Sequence, residues 1–440
     1  MLEIYKKLFN DLNNNNIRYI IYKGLSHLKE DLDGERVNGD IDILIKDDKF
    51  IVQIEKYLNI GLIGKQKNSA IGLDIETKKI IWIDFASKIK IGDVPYKPYY
   101  FNNDINKLKT TTFENIIILA NEDYIPLMFI MRVTVKSDKK ENLKELQDLL
   151  KKTKVEGYVK ELVESISKYK WQEIEKDILS ANSWEGLKKK YKRIILKNSK
   201  VDKKALLAQN FKWIIDKYKA VQRKIFKNPP YRVRKKGYLV AFMGNDGAGK
   251  SSTIEALLNI DYFKYTGIKM IYFGNNQYMI PFLNYFMRKT YDNKFVRLLI
   301  GMLGHIDKQY VRVLIAKYYI NKGYIVLADR YVYDELMSLE YNYKPTQNIL
   351  KKFYRFIFKP RMFIKPTITF FLNVDPEVAY KRKQDYDFKL VKQNIKRYRE
   401  FLSKFDEVVR IDANQSQEKV IKDIVKRLYD KDVEVNHKLF

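Results

Sequence analysis

Eight consecutive residues, Gly244-Asn245-Asp246-Gly247-Ala248-Gly249-Lys250-Ser251, fit the pattern G-x-x-x-x-G-K-[ST] at every fixed position. Glycines let successive backbone N–H groups turn inward around phosphate oxygens, and a helix starting there adds the positive end of its dipole. Lys250 would bridge the β- and γ-phosphates of a nucleoside triphosphate, and the Ser251 hydroxyl would ligate Mg²⁺. The pattern requires a strand before it and a helix after it. GYLVAFMG (237–244) is almost wholly apolar, as a parallel strand buried on both faces must be, and STIEALLN (252–259) reads as a helix. Gly244, Asp246, Gly247, Gly249, Lys250, Ser251 and Ser252 are therefore the expected ATP cradle.

A second constellation lies near the start of the chain. In Gly39-Asp40-Ile41-Asp42-Ile43 the two carboxylates are two residues apart, so on a strand they share a face. Two hard oxygen donors on one face suit Mg²⁺. Asp84, inside the apolar strand IIWIDFA, is a third donor that could converge on them, and a carboxylate buried there would be costly without a cation. Upstream, IRYIIYKG ends at Lys23-Gly24-Leu25-Ser26, where Gly24 and Ser26 could form a phosphate-binding turn. The competing reading of DIDILI is an edge strand with a solvated acidic face.

Composition limits the other chemistries. The chain has 440 residues, 46% hydrophobic and 31% charged, enough for two or three domains with real cores. It has no cysteine, which excludes disulfides, thiolate zinc, iron–sulfur clusters and cysteine nucleophiles. Three histidines, His27, His305 and His437, are too few and too scattered for a metal cage. His27 reads as a polar loop residue, and His305, among Gly301, Gly304 and Asp307, has no evident chemical partner. Tyr318-Tyr319 and the pair Tyr341 and Tyr343 read as packing aromatics.

The net charge of +30 is uneven. Residues 1–150 are balanced, whereas 151–236 hold 26 Lys and Arg against 9 Asp and Glu. Such a block suits RNA, DNA or anionic lipid, or else it is a lysine-rich solvated helical face. No apolar run is long enough to span a membrane, and the N-terminus lacks an export signal, so a cytoplasmic location is expected.

The elements that must position these residues follow from the same patterns. Residues 2–14 read as a helix, and strands are expected at 17–24, 39–46 and 78–86. Helical spacing is expected from 111 to about 228, ending at Asn228-Pro229-Pro230. Apolar runs at 237–244, 267–274, 323–330, 366–374 and 407–413 then alternate with helices, the signature of a doubly wound parallel sheet. The expected class is α/β: a mixed domain at 1–150, a basic helical connector at 151–236, a parallel-sheet domain at 237–430 and a tail at 431–440.

Residues 237–430 resemble thymidylate kinase, a nucleoside-monophosphate kinase. FMGNDGAGKSS carries the family's Asp-Gly before Ala-Gly-Lys-Ser, and GYIVLADRY ends in the family's Asp-Arg-Tyr. PTITFFLNVDPEVAYKRK resembles the fourth strand and the helix into the lid, and VRIDANQSQEKVIKDIV resembles the last strand and helix. The resemblance implies that Asp329 lies near Mg²⁺, that Arg330 clamps the acceptor phosphate and that Asp246 approaches the acceptor sugar's 3′-hydroxyl. It also implies that Arg382 and Lys383 open a mobile basic lid and that Asn414 lies near the adenine. Two departures point to a rebuilt acceptor pocket. Tyr272-Phe273-Gly274-Asn275-Asn276 stands where the family has an Arg-Glu-Pro-Gly type motif, and Asp334 stands where it often has serine.

Residues 1–100 resemble the nucleotidyltransferase superfamily, marked by a glycine/serine turn, an Asp-x-Asp strand and a third Asp. The resemblance implies that Asp40, Asp42 and Asp84 hold metal ions and that Asp84 helps to activate the attacking hydroxyl, although Leu25 makes the turn irregular. Together the resemblances imply an ATP- and Mg²⁺-dependent kinase acting on a nucleoside monophosphate or related phosphorylated metabolite, with a second metal-dependent site. The expected partners are a small phosphorylated substrate, RNA or DNA through residues 151–236, and a second copy of the chain. The alternatives are a nucleic-acid end-processing kinase/nucleotidyltransferase and a regulatory NTP-binding protein.

Overall fold

Strand-forming and helix-forming segments alternate along the computed structural model. It describes residues 1–36, 39–46, 63–66, 69–93, 97–101, 104–136, 139–211, 229–230, 232–274, 279–280, 294–341, 363–384 and 386–437, with isolated positions at 214, 217, 283, 285, 352 and 356. Asn228, Asn275, Asn276 and Tyr343 lie outside the described residues. The chain divides into two units, one built of Met1–Asp74 and Ile80–Ile225, the other chiefly of Phe226–Leu439. No helix among the described residues is long and apolar enough to cross a membrane.

The first unit holds strands β1 (Tyr19–Ile21), β2 (Asp40–Ile45), β3 (Ile63–Gln66), β4 (Ser69–Leu73), β5 (Ile80–Ala86), β6 (Ile89–Ile91), β7 (Tyr99–Phe101), β8 (Thr110–Phe113), β9 (Ile116–Leu119) and β10 (Lys200–Val201). Seven of them form a mixed sheet in the order β3-β4-β5-β2-β1-β9-β8, and β10-β7-β6 form a small second one. Period-two alternation sends Ile21, Ile43 and Ile83 to one face of the large sheet, under the helix Glu3–Asn14 with its buried Ile4, Tyr5, Leu8, Phe9 and Leu12. Ile20 and Leu44 go to the other face and join a helical core.

Two segments depart from the expectation. TTTFENIIIL, expected as the start of helical structure, is the hairpin β8–β9. Glu114 and Asn115 at its tip have φ of 48° and 67°, the two left-handed residues that a tight hairpin demands, and Thr and Ile favour the flanking strands. Helical structure begins at Asn121. The helices Tyr158–Ser167, Trp171–Ser180 and Arg193–Lys197, expected in a basic connector, share one core with the sheet: Val163, Ile174, Tyr191 and Ile195 are buried with Ile20 and Phe129. Leu150 and Val155 lie in that same core, so it runs across position 150. Lys190 on this helical layer bonds Glu173 and Asp177, so part of the basic charge is spent within the layer.

The second unit holds β11 (Tyr238–Met243), β12 (Ile268–Tyr272), β13 (Ile325–Asp329), β14 (Ile368–Asn373) and β15 (Val408–Asp412) in one sheet, order β12-β13-β11-β14-β15. Every pairing is parallel. All six residues of β11 and all five of β13 are buried, as expected for central strands covered on both faces. The chain leaves β11 for an outer strand, returns to β13 beside it, then crosses to β14 on the other side. That reversal opens a crevice at the strand C-termini, where ligands of such sheets bind. Residues 431–437, expected as a tail, continue the final helix Gln417–His437. Asp432 there is fully buried and takes Arg234 at 2.6 Å through both oxygens, with the hydroxyls of Tyr238 and Tyr262 at 2.8 and 3.1 Å.

Candidate active site

β11 delivers the glycine loop to the crevice. Gly244 and Gly247 have φ of 145° and 82°, and a Cβ at Gly247 would collide with the Ala379 carbonyl, so the chain must be glycine there. Lys250 opens the helix Lys250–Asn259, and its buried Nζ donates to the carbonyls of Gly244 at 2.8 Å and Asn245 at 2.9 Å. Burial lowers the Lys250 pKa to about 8; Arg330 adds to the fall, while Asp246, Asp334 and Asp329 oppose it. A phosphate entering the loop would supply the anion that this ammonium needs.

β13 lies beside β11 with Phe242 opposite Asp329, which sets Asp329 at the same edge. Ser251 Oγ donates to Asp329 Oδ2 at 3.3 Å. Burial raises the Asp329 carboxyl above its usual value, while Lys250, Arg330 and the Ser251 hydrogen bond pull it back. A hydroxyl and a carboxylate at that spacing are hard oxygen donors that fit Mg²⁺ beside the phosphates. Arg330 follows with φ of 63°, a left-handed conformation costly for a residue with a Cβ. The turn aims its guanidinium back over the loop. Nη2 meets Asp246 Oδ1 at 2.5 Å and Nη1 meets Asp334 Oδ2 at 3.2 Å. Asp334 Oδ1 also accepts from the Tyr398 hydroxyl at 2.6 Å.

These groups line a cavity of about 1120 Å³. Of the residues expected from sequence, Asp246, Gly247, Gly249, Lys250, Ser251, Ser252, Asp329, Arg330, Arg382 and Lys383 all face it. Gly244 supports the loop from behind, through its carbonyl to Lys250. Arg382 ends the helix Pro376–Arg382 and donates to the Ala413 carbonyl at 2.9 Å. Asn414 does not line the cavity: its Oδ1 accepts from the Asp375 N–H at 2.8 Å and its Nδ2 donates to Asp412 at 2.9 Å.

A further wall was not anticipated. Gly301, Gly304 and His305 of the helix Lys294–Ile306, with Lys308 in the π-helical turn Asp307–Arg312, also line the cavity. Lys308 and Gln309 both bond Glu335, at 3.1 and 3.0 Å. The signal was present as small and polar residues at 301, 304, 305 and 308, one face of an otherwise apolar helix. Asp307, close to His305 in sequence, is instead structural: it is buried, bonds Arg312 at 2.6 Å and accepts the backbone N–H groups of Met279 and Ile280.

The N-terminal constellation is arranged differently. β2 and β5 run parallel with Asp42 opposite Asp84, so those two carboxylates stand side by side and Asp40 follows on the same face. Lys23 Nζ bonds Asp42 Oδ1. Burial works against the Lys23 charge, but Tyr22 and Asp42 beside it hold it protonated. Asp84, expected inside an apolar strand, is exposed and accepts from the Ser69 hydroxyl at 2.6 Å, because β5 buries Ile81, Ile83 and Phe85 on its other face. Desolvation, with Asp42 and Asp84 nearby, raises the Asp40 carboxyl. Gly24 is left-handed at φ 67° and leads into a tight turn, Leu25–His27, on which Ser26 is exposed. Among the described residues no three acidic or histidine side chains are grouped to hold a metal ion.

A family model for thymidylate kinase matches residues 242–424, from the end of β11 into the last helix. The C-terminal unit is a thymidylate kinase-like domain. Over 153 residues the chain is 27% identical to a probable thymidylate kinase 2 of Saccharolobus solfataricus, covering 33% of this chain and 64% of that relative. The chain thus spans under two thirds of that relative's length. Over 198 residues it is 26% identical to a probable thymidylate kinase of Staphylothermus marinus, covering 43% of this chain and 94% of the relative. A solved thymidylate kinase from Candida albicans aligns with 46% of this chain and 94% of its own, at 18% identity and a TM-score of 0.33. The family match covers the phosphate loop, the Asp-Arg-Tyr turn and the helix Pro376–Arg382, and it starts after the first unit.

Proposed function

We propose that the kinase-like domain is an ATP-dependent phosphotransferase that moves the γ-phosphoryl group to a nucleoside monophosphate or a related phosphorylated metabolite. The observation that carries this reading is the convergence of Lys250, Ser251, Asp329 and Arg330 on one cavity at the C-terminal ends of β11 and β13. Phosphoryl transfer passes through a loose transition state, so positioning and charge stabilisation do most of the catalysis. The loop N–H groups and Lys250 orient the phosphates. Ser251 and Asp329 would hold Mg²⁺, which when bound neutralises phosphate charge. Arg330 faces the acceptor side, and Arg382 with Lys383 supplies cations over the cavity mouth. His305, Lys308 and Glu335 add polar groups to the cavity wall, and the departures at Tyr272–Gly274 and Asp334 leave the acceptor open beyond thymidylate.

The test is an ADP-formation screen with Mg²⁺ and ATP across nucleoside monophosphates, dTMP included, with Lys250→Ala as control. Turnover dependent on one monophosphate names the acceptor. Turnover with none of them, in a protein that still binds ATP, rejects the nucleoside-monophosphate reading.

A second reading, metal-dependent nucleotidyl transfer at Asp40, Asp42 and Asp84, draws on the side-by-side register of Asp42 and Asp84, although the three carboxylates are not grouped to hold an ion as they stand. Lys23 compensates part of that charge, so a metal would bind there in competition with the ammonium. Calorimetric titration with Mg²⁺ of wild type against Asp42→Asn tests this, and identical heats would remove the reading.

A further inference from the structure

Arg330 is the cation placed to receive an acceptor phosphate, yet its guanidinium is already engaged on two sides. Asp246 holds Nη2 and Asp334 holds Nη1. Asp334 is itself fixed, since it lies in the first turn of the helix Val332–Tyr341 and its other oxygen takes the Tyr398 hydroxyl at 2.6 Å. The Arg330 and Asp334 side chains are only 27% and 22% exposed, so water screens this pair weakly. On the same helix, Glu335 brings a further carboxylate to the cavity, offset by Lys308 and Gln309.

We infer that Asp334 is a specificity-determining residue that occupies Arg330 in place of the acceptor's phosphate, so that a phosphorylated acceptor binds only by displacing it. The inference rests on the reading of a phosphorylated acceptor given above. A phosphate dianion carries more charge than a carboxylate and offers oxygens matched to the guanidinium fork, so it can win Nη1. Asp334 remains nearby on Tyr398 after displacement and repels further negative charge. The favoured acceptor therefore carries one phosphate and no second anionic group close to it. Polynucleotide ends, with a chain of phosphates, fit this site poorly.

Two titrations test it on the full chain. Protein saturated with Mg²⁺ and a non-hydrolysable ATP analogue is titrated with inorganic phosphate, for wild type and Asp334→Asn. The amide keeps a partner for Tyr398 and removes the charge. Phosphate affinity is expected to rise by roughly fivefold, the scale of one ion pair, while affinity for the ATP analogue stays within about twofold. Equal or weaker phosphate binding by the variant overturns the inference. Asp334→Ser repeats the measurement, and matching melting curves show that each variant is folded. In parallel, KM and kcat for dTMP are compared. A lower KM agrees with displacement, whereas an unchanged or higher KM with a fall in kcat marks a merely structural role for Asp334. Tighter phosphate binding without turnover of any nucleoside monophosphate keeps the role of Asp334 and rejects the nucleoside-monophosphate reading. Turnover of dTMP without tighter phosphate binding does the reverse.

Discussion

Both units set a lysine beside carboxylates, and the two lysine pKa values move in opposite directions. Lys250 is buried with its Nζ on two backbone carbonyls, and its pKa falls to about 8. Lys23 bonds Asp42 and is held protonated. The kinase-like domain thus keeps a desolvated cation whose charge is best satisfied by an arriving phosphate. The first unit has already used its cation to offset its carboxylates. Residue types alone make the two sites look equally ready for phosphate and metal; the partner of each lysine separates them.

The largest effect is expected at Lys250. Lys250→Ala should lower phosphoryl transfer by about a thousandfold or more, since a positioned charge at the transferring group is removed. Circular dichroism should show the fold intact. Retained transfer in a folded variant would place the chemistry elsewhere in the chain.

Next comes the support beneath the site. Asp432→Asn leaves Arg234 buried without its counter-charge and should cost about 3–5 kcal/mol of stability in the second unit. Denaturant melts that read the unit separately would show it, and a loss below about 1 kcal/mol would mean that the Thr266 and Gly323 carbonyls and the Thr266 hydroxyl carry the arginine without the Asp432 charge.

The pH dependence follows from the sign of the Lys250 shift. Above pH 8 the ammonium of the free protein loses its proton, and ATP binding has to restore it. ATP affinity should therefore fall as pH rises from 8 towards 10.5, by up to about tenfold per unit, with proton uptake detected by calorimetry in two buffers. Over the same window the unfolded chain binds more protons than the folded one, so this group's contribution to stability rises with pH. Flat ATP affinity to pH 9.5 would show that Lys250 stays charged in its loop.

The smallest effects are expected from the first unit. The double variant Asp40→Asn, Asp42→Asn should abolish any nucleotidyl transfer and leave ADP formation by the kinase-like domain within about twofold, because substitutions with no shared partners act independently. A parallel loss of both activities in a folded protein would show that the two sites are coupled.

Much of the second unit is legible in its sequence because its signals are local. A central parallel strand must be apolar throughout, and the runs at 237–244 and 323–330 end at Gly244 and at Asp329-Arg330, where the candidate site begins. The hairpin at 110–119 was hidden because Glu114-Asn115 is a weaker turn signal than Asn-Gly, and the isoleucines beyond it also suit a buried helix. The charge count at 151–236 suggests a separate segment, but Val163, Ile174 and Ile195 at helical spacing bury the helices between 158 and 197 in the core of the first unit. The partners of Arg330 arise from packing: Asp334 is four residues away and Asp246 is 84, and Tyr398, which fixes Asp334, is 64 residues from it. No local pattern reveals that set.

The most direct measurement follows the labelled γ-phosphate of ATP, in the presence of Mg²⁺ and each nucleoside monophosphate in turn, into a new phosphate ester in wild type and Lys250→Ala. Label appearing in one acceptor with the wild type, and not with the variant, is the expected result. Label that stays in ATP with every acceptor, or that moves equally well in the variant, contradicts phosphoryl transfer at this cavity.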